Sequence, residues 1–100
     1  MRYDIIDSPQ GPILMLKDDL TFSDRSVFDG VIDKLVARRK PVIIVDFSGL
    51  DYMDSAGLGM LLTLRDKAEQ HNQHVRLRQP RAVVQELLHL ACFDTLFVIE

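Results

Sequence analysis

Two hydrophobic rhythms alternate along the chain. Tyr3 to Asp7 and Gly11 to Lys17 read as short strands on either side of Ser8-Pro9-Gln10-Gly11, whose Pro and Gly supply turn geometry, so the chain is expected to open with a hairpin. From Ser23 to Ala37 the period changes. Val27, Val31, Ile32, Leu35 and Val36 recur at helical spacing, with Ser23 or Asp24 suited to the N-cap and Arg38, Arg39 and Lys40 placed to complement the dipole at the far end. Pro41 stops this helix. Val42-Ile43-Ile44-Val45 follows as a β-branched run without polar alternation, the pattern of a central strand covered on both faces.

A loop is expected from Ser48 to Asp54. Leu58, Leu61, Leu62, Leu64 and Ala68 then predict a second helix to about Gln70 or His71, with Asp54 or Ser55 at its start. His74 to Arg78 reads as a polar-edged strand. Pro80 suits the first turn of a third helix carrying Val83, Val84, Leu87, Leu88 and Ala91, and Leu96 to Ile99 makes a last short strand. The order is ββαβαβαβ: an α/β fold in which residues 1–100 form one domain, with a mostly parallel sheet of about five strands, an N-terminal hairpin and three or four helices. In such sheets function gathers at loops leaving the carboxyl ends of strands, which directs attention to residues 48–55.

Composition narrows the classes. With 100 residues, 47% of them hydrophobic, the chain supports one core and one main site. A net charge of −3 with intermixed signs gives no basic stripe for phosphate backbones, so nucleic acid is not an expected partner. Cys92 has no second cysteine to pair with and reads as a small buried hydrophobe. Met1 is followed by charged and polar residues rather than an apolar signal core, and no apolar run approaches the roughly 20 residues a bilayer demands. The expectation is a cytoplasmic protein without direct membrane insertion.

The chemistry concentrates in Val45-Asp46-Phe47-Ser48-Gly49-Leu50-Asp51-Tyr52-Met53-Asp54-Ser55-Ala56-Gly57-Leu58-Gly59, where a buried strand runs through a loop into an Asp-Ser pair and a helix opened by two glycines. A serine at a helix N-terminus lies near unpaired N–H groups and the positive end of the dipole, so a phosphate is tolerated there. With Asp51 and Asp54 close in sequence, adding about −1.5 to −2 charges at Ser55 would oppose a partner surface that had accepted the neutral hydroxyl. The plainer alternative is that Ser55 or Asp54 simply caps the helix, contributing about 1 kcal/mol.

This stretch resembles the STAS family, whose signature is an apolar strand ending in Asp, a turn with Gly-Leu, and an apolar-Met-Asp-Ser-Ser/Ala-Gly-Leu/Ile-Gly run before an apolar helix. Here these stand as Ile43-Ile44-Val45-Asp46-Phe47-Ser48-Gly49-Leu50 and Met53-Asp54-Ser55-Ala56-Gly57-Leu58-Gly59, and the ending Leu87-Leu88-His89-Leu90-Ala91-Cys92-Phe93-Asp94-Thr95-Leu96-Phe97 is similar to the family's closing helix and strand. The resemblance to the bacterial anti-sigma factor antagonist type implies a non-enzymatic partner switch without cofactor. Its unphosphorylated form would bind a serine protein kinase acting as anti-sigma factor, phosphorylation at Ser55 would abolish that binding, and a PP2C-type phosphatase would restore it. The implied docking surface comprises Asp54, Ser55, Ala56, Gly57 and Met60, with Asp18, Asp19 and Thr21 from the loop after the hairpin. The other role the family implies is a non-switching scaffold, or a subunit of a membrane transport system for anions or lipids.

Three positions depart from the family pattern. Leu16-Lys17-Asp18-Asp19-Leu20-Thr21 lacks the acid that the family commonly has at the place of Thr21, leaving Asp18 or Asp19 as substitutes. Ala56 replaces a second serine, which narrows phosphorylation to Ser55. Cys92 stands where a helix-ending Gly is common, which predicts a differently shaped helix end.

Other chemistries find less support. Gly57-Leu58-Gly59 has Leu62 at the third glycine of a dinucleotide loop. The segment that carries Asp46, Asp51 and Asp54 contains no basic residue to hold a phosphate beside a metal. His71 and His74 span a helix end rather than one face, and Ser55 has neither a nucleophile elbow nor an assigned histidine.

Overall fold

The computed structural model describes residues 1–100. Five strands and three helices appear in the order β1 (Arg2–Asp7), β2 (Pro12–Leu20), α1 (Arg25–Val36), β3 (Val42–Met53), α2 (Ser55–Gln70), β4 (His74–Arg78), α3 (Ala82–Leu90) and β5 (Val98–Ile99), with single 3-10 turns at Phe22–Asp24 and Phe93–Thr95. The sheet order is β1-β2-β3-β4-β5; β1 and β2 are antiparallel and every other pair is parallel. Sequential order combined with right-handed crossovers puts all three helices on one face. There Leu14, Phe28, Val45, Phe47, Leu61 and Leu77, all buried, join one apolar cluster with Val84 and Leu88 of α3.

The opposite face has no helix. Ile43, Ile44 and Val45 are all buried, as their unbroken apolar run predicts, although Ile44 stands outside the core cluster that Ile43 and Val45 join. The register sets Ile6, Ile13, Ile44, Arg76 and Val98 in one row and Asp4, Met15, Asp46 and Arg78 in the next. The hairpin closes through Ser8, whose hydroxyl donates to the Gly11 carbonyl at 2.6 Å. Gly11 has φ +157°, and a Cβ there would lie 1.7 Å from the Val42 carbonyl oxygen, so the turn has no room for a side chain.

The expected loop from Ser48 to Asp54 is instead strand. β3 continues to Met53 beside an equally extended β2, pairing Lys17 with Gly49, Asp18 with Leu50, Asp19 with Tyr52 and Leu20 with Met53. Irregularities between Met15 and Lys17 and between Asp18 and Asp19 absorb the mismatch, Asp18 taking φ +67°. Turn-forming residue types thus sit inside a bulged ladder, anchored by the buried Leu50 and Met53.

Two helix ends differ from expectation, whereas the start of α1 follows it, with Asp24 in the N-cap position although its side chain makes no cap bond to α1. The Phe22–Asp24 turn precedes α1, and Asp24 serves it by reaching back to accept from the Thr21 N–H at 2.9 Å. Pro80 lies outside α3, whose N-cap is Arg81 in extended conformation. Cys92 is exposed, and it adopts φ +59°, the left-handed geometry a glycine would give. The end of α3 therefore keeps the ordinary shape, and the thiol points outward. No helix is long and apolar enough to cross a membrane.

Candidate functional site

The parallel extension of β2 and β3 carries both chains to one place, where Asp54 closes the joint. Its N–H donates to the Leu20 carbonyl at 3.2 Å. Its Oδ1 accepts from the Gly57 N–H at 2.9 Å, satisfying one free amide at the start of α2. Its Oδ2 accepts from the Phe22 N–H at 3.1 Å, tying the turn before α1 to the start of α2. Both carboxylate oxygens of Asp54 are thereby occupied by backbone amides.

Ser55, the first residue of α2, is exposed, and its hydroxyl has no hydrogen-bond partner within the chain. Asp54 is the cap; Ser55 has no such task. Ala56 is half-buried. Gly57 is buried where a Cβ would stand 2.6 Å from the Leu20 oxygen and 3.1 Å from the Met53 Cβ, so this glycine answers the close approach of β2 rather than a nucleotide. Met60 is 4% exposed and belongs to the core. Of the residues expected at the docking surface, Gly57 and Met60 shape it from within and present no side chain to a partner.

The loop residues divide similarly. Asp18 is held by Arg2, at 2.7 and 3.1 Å, and that bond together with the guanidinium charge lowers its carboxyl pKa below the ordinary value. Asp19 is exposed beside Tyr52 in the ladder and has no ion partner. Thr21 is half-buried, its hydroxyl 3.0 Å from that of Ser23.

The remaining acids of the segment brace the strand end. Asp46 is 2% exposed on the sheet face without helices. Burial works against its charge, but bonds from the Ser48 hydroxyl (2.6 Å), the Arg78 guanidinium (2.7 Å) and the Ser48 N–H (2.8 Å) outweigh it and keep the carboxyl pKa below the usual range. Arg81 donates to the Ser48 carbonyl at 2.7 Å and to Asp51. Asp46, Asp51 and Asp54 are each engaged by different groups, and no three metal-binding side chains converge anywhere in the chain. His71 and His74 are both exposed, His71 with Nδ1 3.0 Å from the Lys67 carbonyl.

Three contributors escaped the sequence reading. Phe22, 66% exposed, and Tyr52, 47% exposed, flank the joint, and Arg81 clamps the strand that leads to it. Phe22 lies outside the helical period, so nothing in the pattern marked it. Tyr52 falls within the expected loop, where no strand register marks it.

A family model described as "Mlab, STAS domain" matches the chain over residues 6–100, which include the bulged β2–β3 pair, the Asp-Ser step and the glycine-opened helix. The chain belongs to the STAS domain family. A STAS-domain containing protein of Pseudomonas aeruginosa (strain UCBPP-PA14) is 39% identical over 56 residues, which are 56% of this chain and about half, 55%, of that protein. Among solved structures, the anti-sigma factor antagonist SpoIIAA in its unphosphorylated form aligns with a TM-score of 0.77 at 17% identity, covering 99% of this chain and 88% of the other. An anti-sigma factor antagonist from Mycobacterium paratuberculosis aligns at 0.79 and 19%, covering 98% and 83%. A sulfate transporter family protein from Wolinella succinogenes aligns at 0.77 and 15%, covering 94% and 80%. At these identities the likeness is one of STAS fold.

Proposed function

We propose that this STAS domain is a non-enzymatic partner switch of the anti-sigma factor antagonist kind. Its unphosphorylated face around Ser55 binds a serine protein kinase acting as anti-sigma factor, phosphorylation of Ser55 ends that binding, and a PP2C-type phosphatase restores it. The observation that carries this reading is the division of labour at the helix start. Asp54 makes every capping bond, so the Ser55 hydroxyl is left exposed and without internal work. A phosphate at that atom breaks nothing inside the fold and lies close to the positive end of α2. It changes the surface and leaves the scaffold alone, which is what a reversible binding switch requires.

The test is the intact mass of the protein from its native cells across growth conditions, with Ser55→Ala expressed alongside. One phosphate on the wild type, varying with conditions and absent from the variant, is the expected result. No phosphate under any condition would sink this reading in favour of a non-switching STAS subunit of a transport system, for which the transporter-family neighbour is the supporting likeness.

A further inference from the structure

Phe22 is the most exposed aromatic ring in the chain, at 66%, and its backbone is tied down by an N–H bond to the Asp54 carboxylate that caps α2. Large exposed side chains usually lose conformational freedom when a partner covers them, and a ring on a fixed backbone loses less. Aromatic side chains, Phe among them, are enriched at protein interfaces relative to the rest of the surface. Charge adds direction. Around this end of the sheet Asp19 and Asp29 are exposed and have no ion partner, against the one unpaired cation Arg25. The unpaired Arg39 and Lys40 lie at the opposite end, before β3 begins.

We infer that Phe22 is the anchor of the docking surface and that it enters an apolar pocket on a protein partner rimmed by lysine or arginine side chains, which meet Asp19 and Asp29. This rests on the proposed role of Ser55 and adds the chemistry of the partner. Ser55 follows the residue that holds Phe22, so it adjoins the contact. The switch then requires that the basic rim meet Asp19 and Asp29 and not Ser55, so that a phosphate on Ser55 is desolvated without a cation to receive it.

The test places the photo-crosslinking aromatic p-benzoylphenylalanine at position 22 in the full chain in its native cells, with position 83 as control, since Val83 is 55% exposed on α3. The cross-linked peptide is sequenced by mass spectrometry. Expected is a cross-link from position 22, absent from position 83, into an apolar segment of another protein flanked by Lys or Arg. With that protein purified, Phe22→Ala should weaken binding at least about tenfold without changing the melting temperature. Charge reversal by Asp19→Lys with Asp29→Lys should weaken it further and flatten its salt dependence. Cross-links equal at both positions, a second copy of this chain as the target, an acidic target segment, or unchanged affinity of Phe22→Ala would each overturn the inference. The two proposals fail separately. A phosphorylated Ser55 with no cross-link at position 22 removes the anchor and keeps the switch, whereas a cross-link indifferent to Ser55→Asp keeps the anchor and removes the switch.

Discussion

Gly57 and Gly59 stand two residues apart at the start of one helix, and the chain around them accounts for the first and not the second. At Gly57 a Cβ would collide with the Leu20 carbonyl; at Gly59 it would meet nothing within 4 Å. The same contrast separates Asp54, with both oxygens bonded to amides, from Ser55, whose hydroxyl has no partner. The inner side of this turn is determined by contacts within the fold. Its outer side carries a free hydroxyl and a glycine that costs a helix about 1 kcal/mol relative to alanine, neither of which the fold requires. Residues on the inner side should therefore govern stability, and residues on the outer side should be nearly silent in it.

The largest effect should come from the brace beneath the inner side. Asp46→Ala leaves Arg78 without its carboxylate and Ser48 without its acceptor, and the expected loss is about 3 kcal/mol, the low end for a broken buried pair because Arg78 keeps some contact with solvent. Urea unfolding measures it, and pH sharpens it. The folded-state pKa of Asp46 lies below its unfolded value, so its contribution is complete above about pH 4 and fades as pH falls through the folded pKa. The gap between wild type and Asp46→Ala should narrow in that acid range; a constant gap would mean that the charge of Asp46 does not matter.

Gly57→Ala comes next. The new methyl group must push the Leu20 carbonyl or the Met53 side chain aside, and the strain outweighs the helix-propensity gain by about 2 kcal/mol. Asp54→Ala should cost about 1.5 kcal/mol, more than a typical cap because the same carboxylate holds the Phe22 amide. Amide hydrogen exchange separates the two bonds: protection at Phe22 and Gly57 should fall together in Asp54→Ala. If only Gly57 loses protection, the link between the two helix starts is not carried by Asp54.

Much of this arrangement was legible in the sequence. The helical periods of α1 and α2 gave both elements, the β-branched run gave β3, and β4 falls on the residues expected of it. The Asp-Ser step fell at the start of α2, as its position before an apolar helix implied. What escaped depends on pairing between distant segments. Ser48 to Met53 carries turn-type residues, and only its bulged register with Lys17 to Leu20 makes it a strand. Whether Gly57 or Gly59 is essential turns on where Leu20 lies, which spacing along one helix does not contain. The apolar neighbours of Cys92 predict a buried side chain, but the left-handed turn after α3 leaves it exposed.

On the outer side the same alanine substitution should reverse sign. Gly59→Ala adds a methyl group to open space in a helical position and should stabilise the protein by roughly 0.5 to 1 kcal/mol in urea unfolding. A loss of stability there would erase the contrast with Gly57 and place an unseen contact over the outer face.

The smallest expected effect decides the most about function. Ser55→Ala removes a hydroxyl that bonds to nothing in the chain, at an exposed first-turn position where alanine is a good helix former, so stability should stay within about 0.5 kcal/mol of wild type. Thermal and urea unfolding measured together give the value. A near-zero result means that any loss of signalling in this variant belongs to the surface and not to a weakened fold, so the variant is a clean probe of phosphorylation. A loss near 1.5 kcal/mol would instead show the hydroxyl sharing the capping work with Asp54. The two sides of the turn would then no longer be separable, and a phosphate on Ser55 would act on the scaffold as well as on the partner.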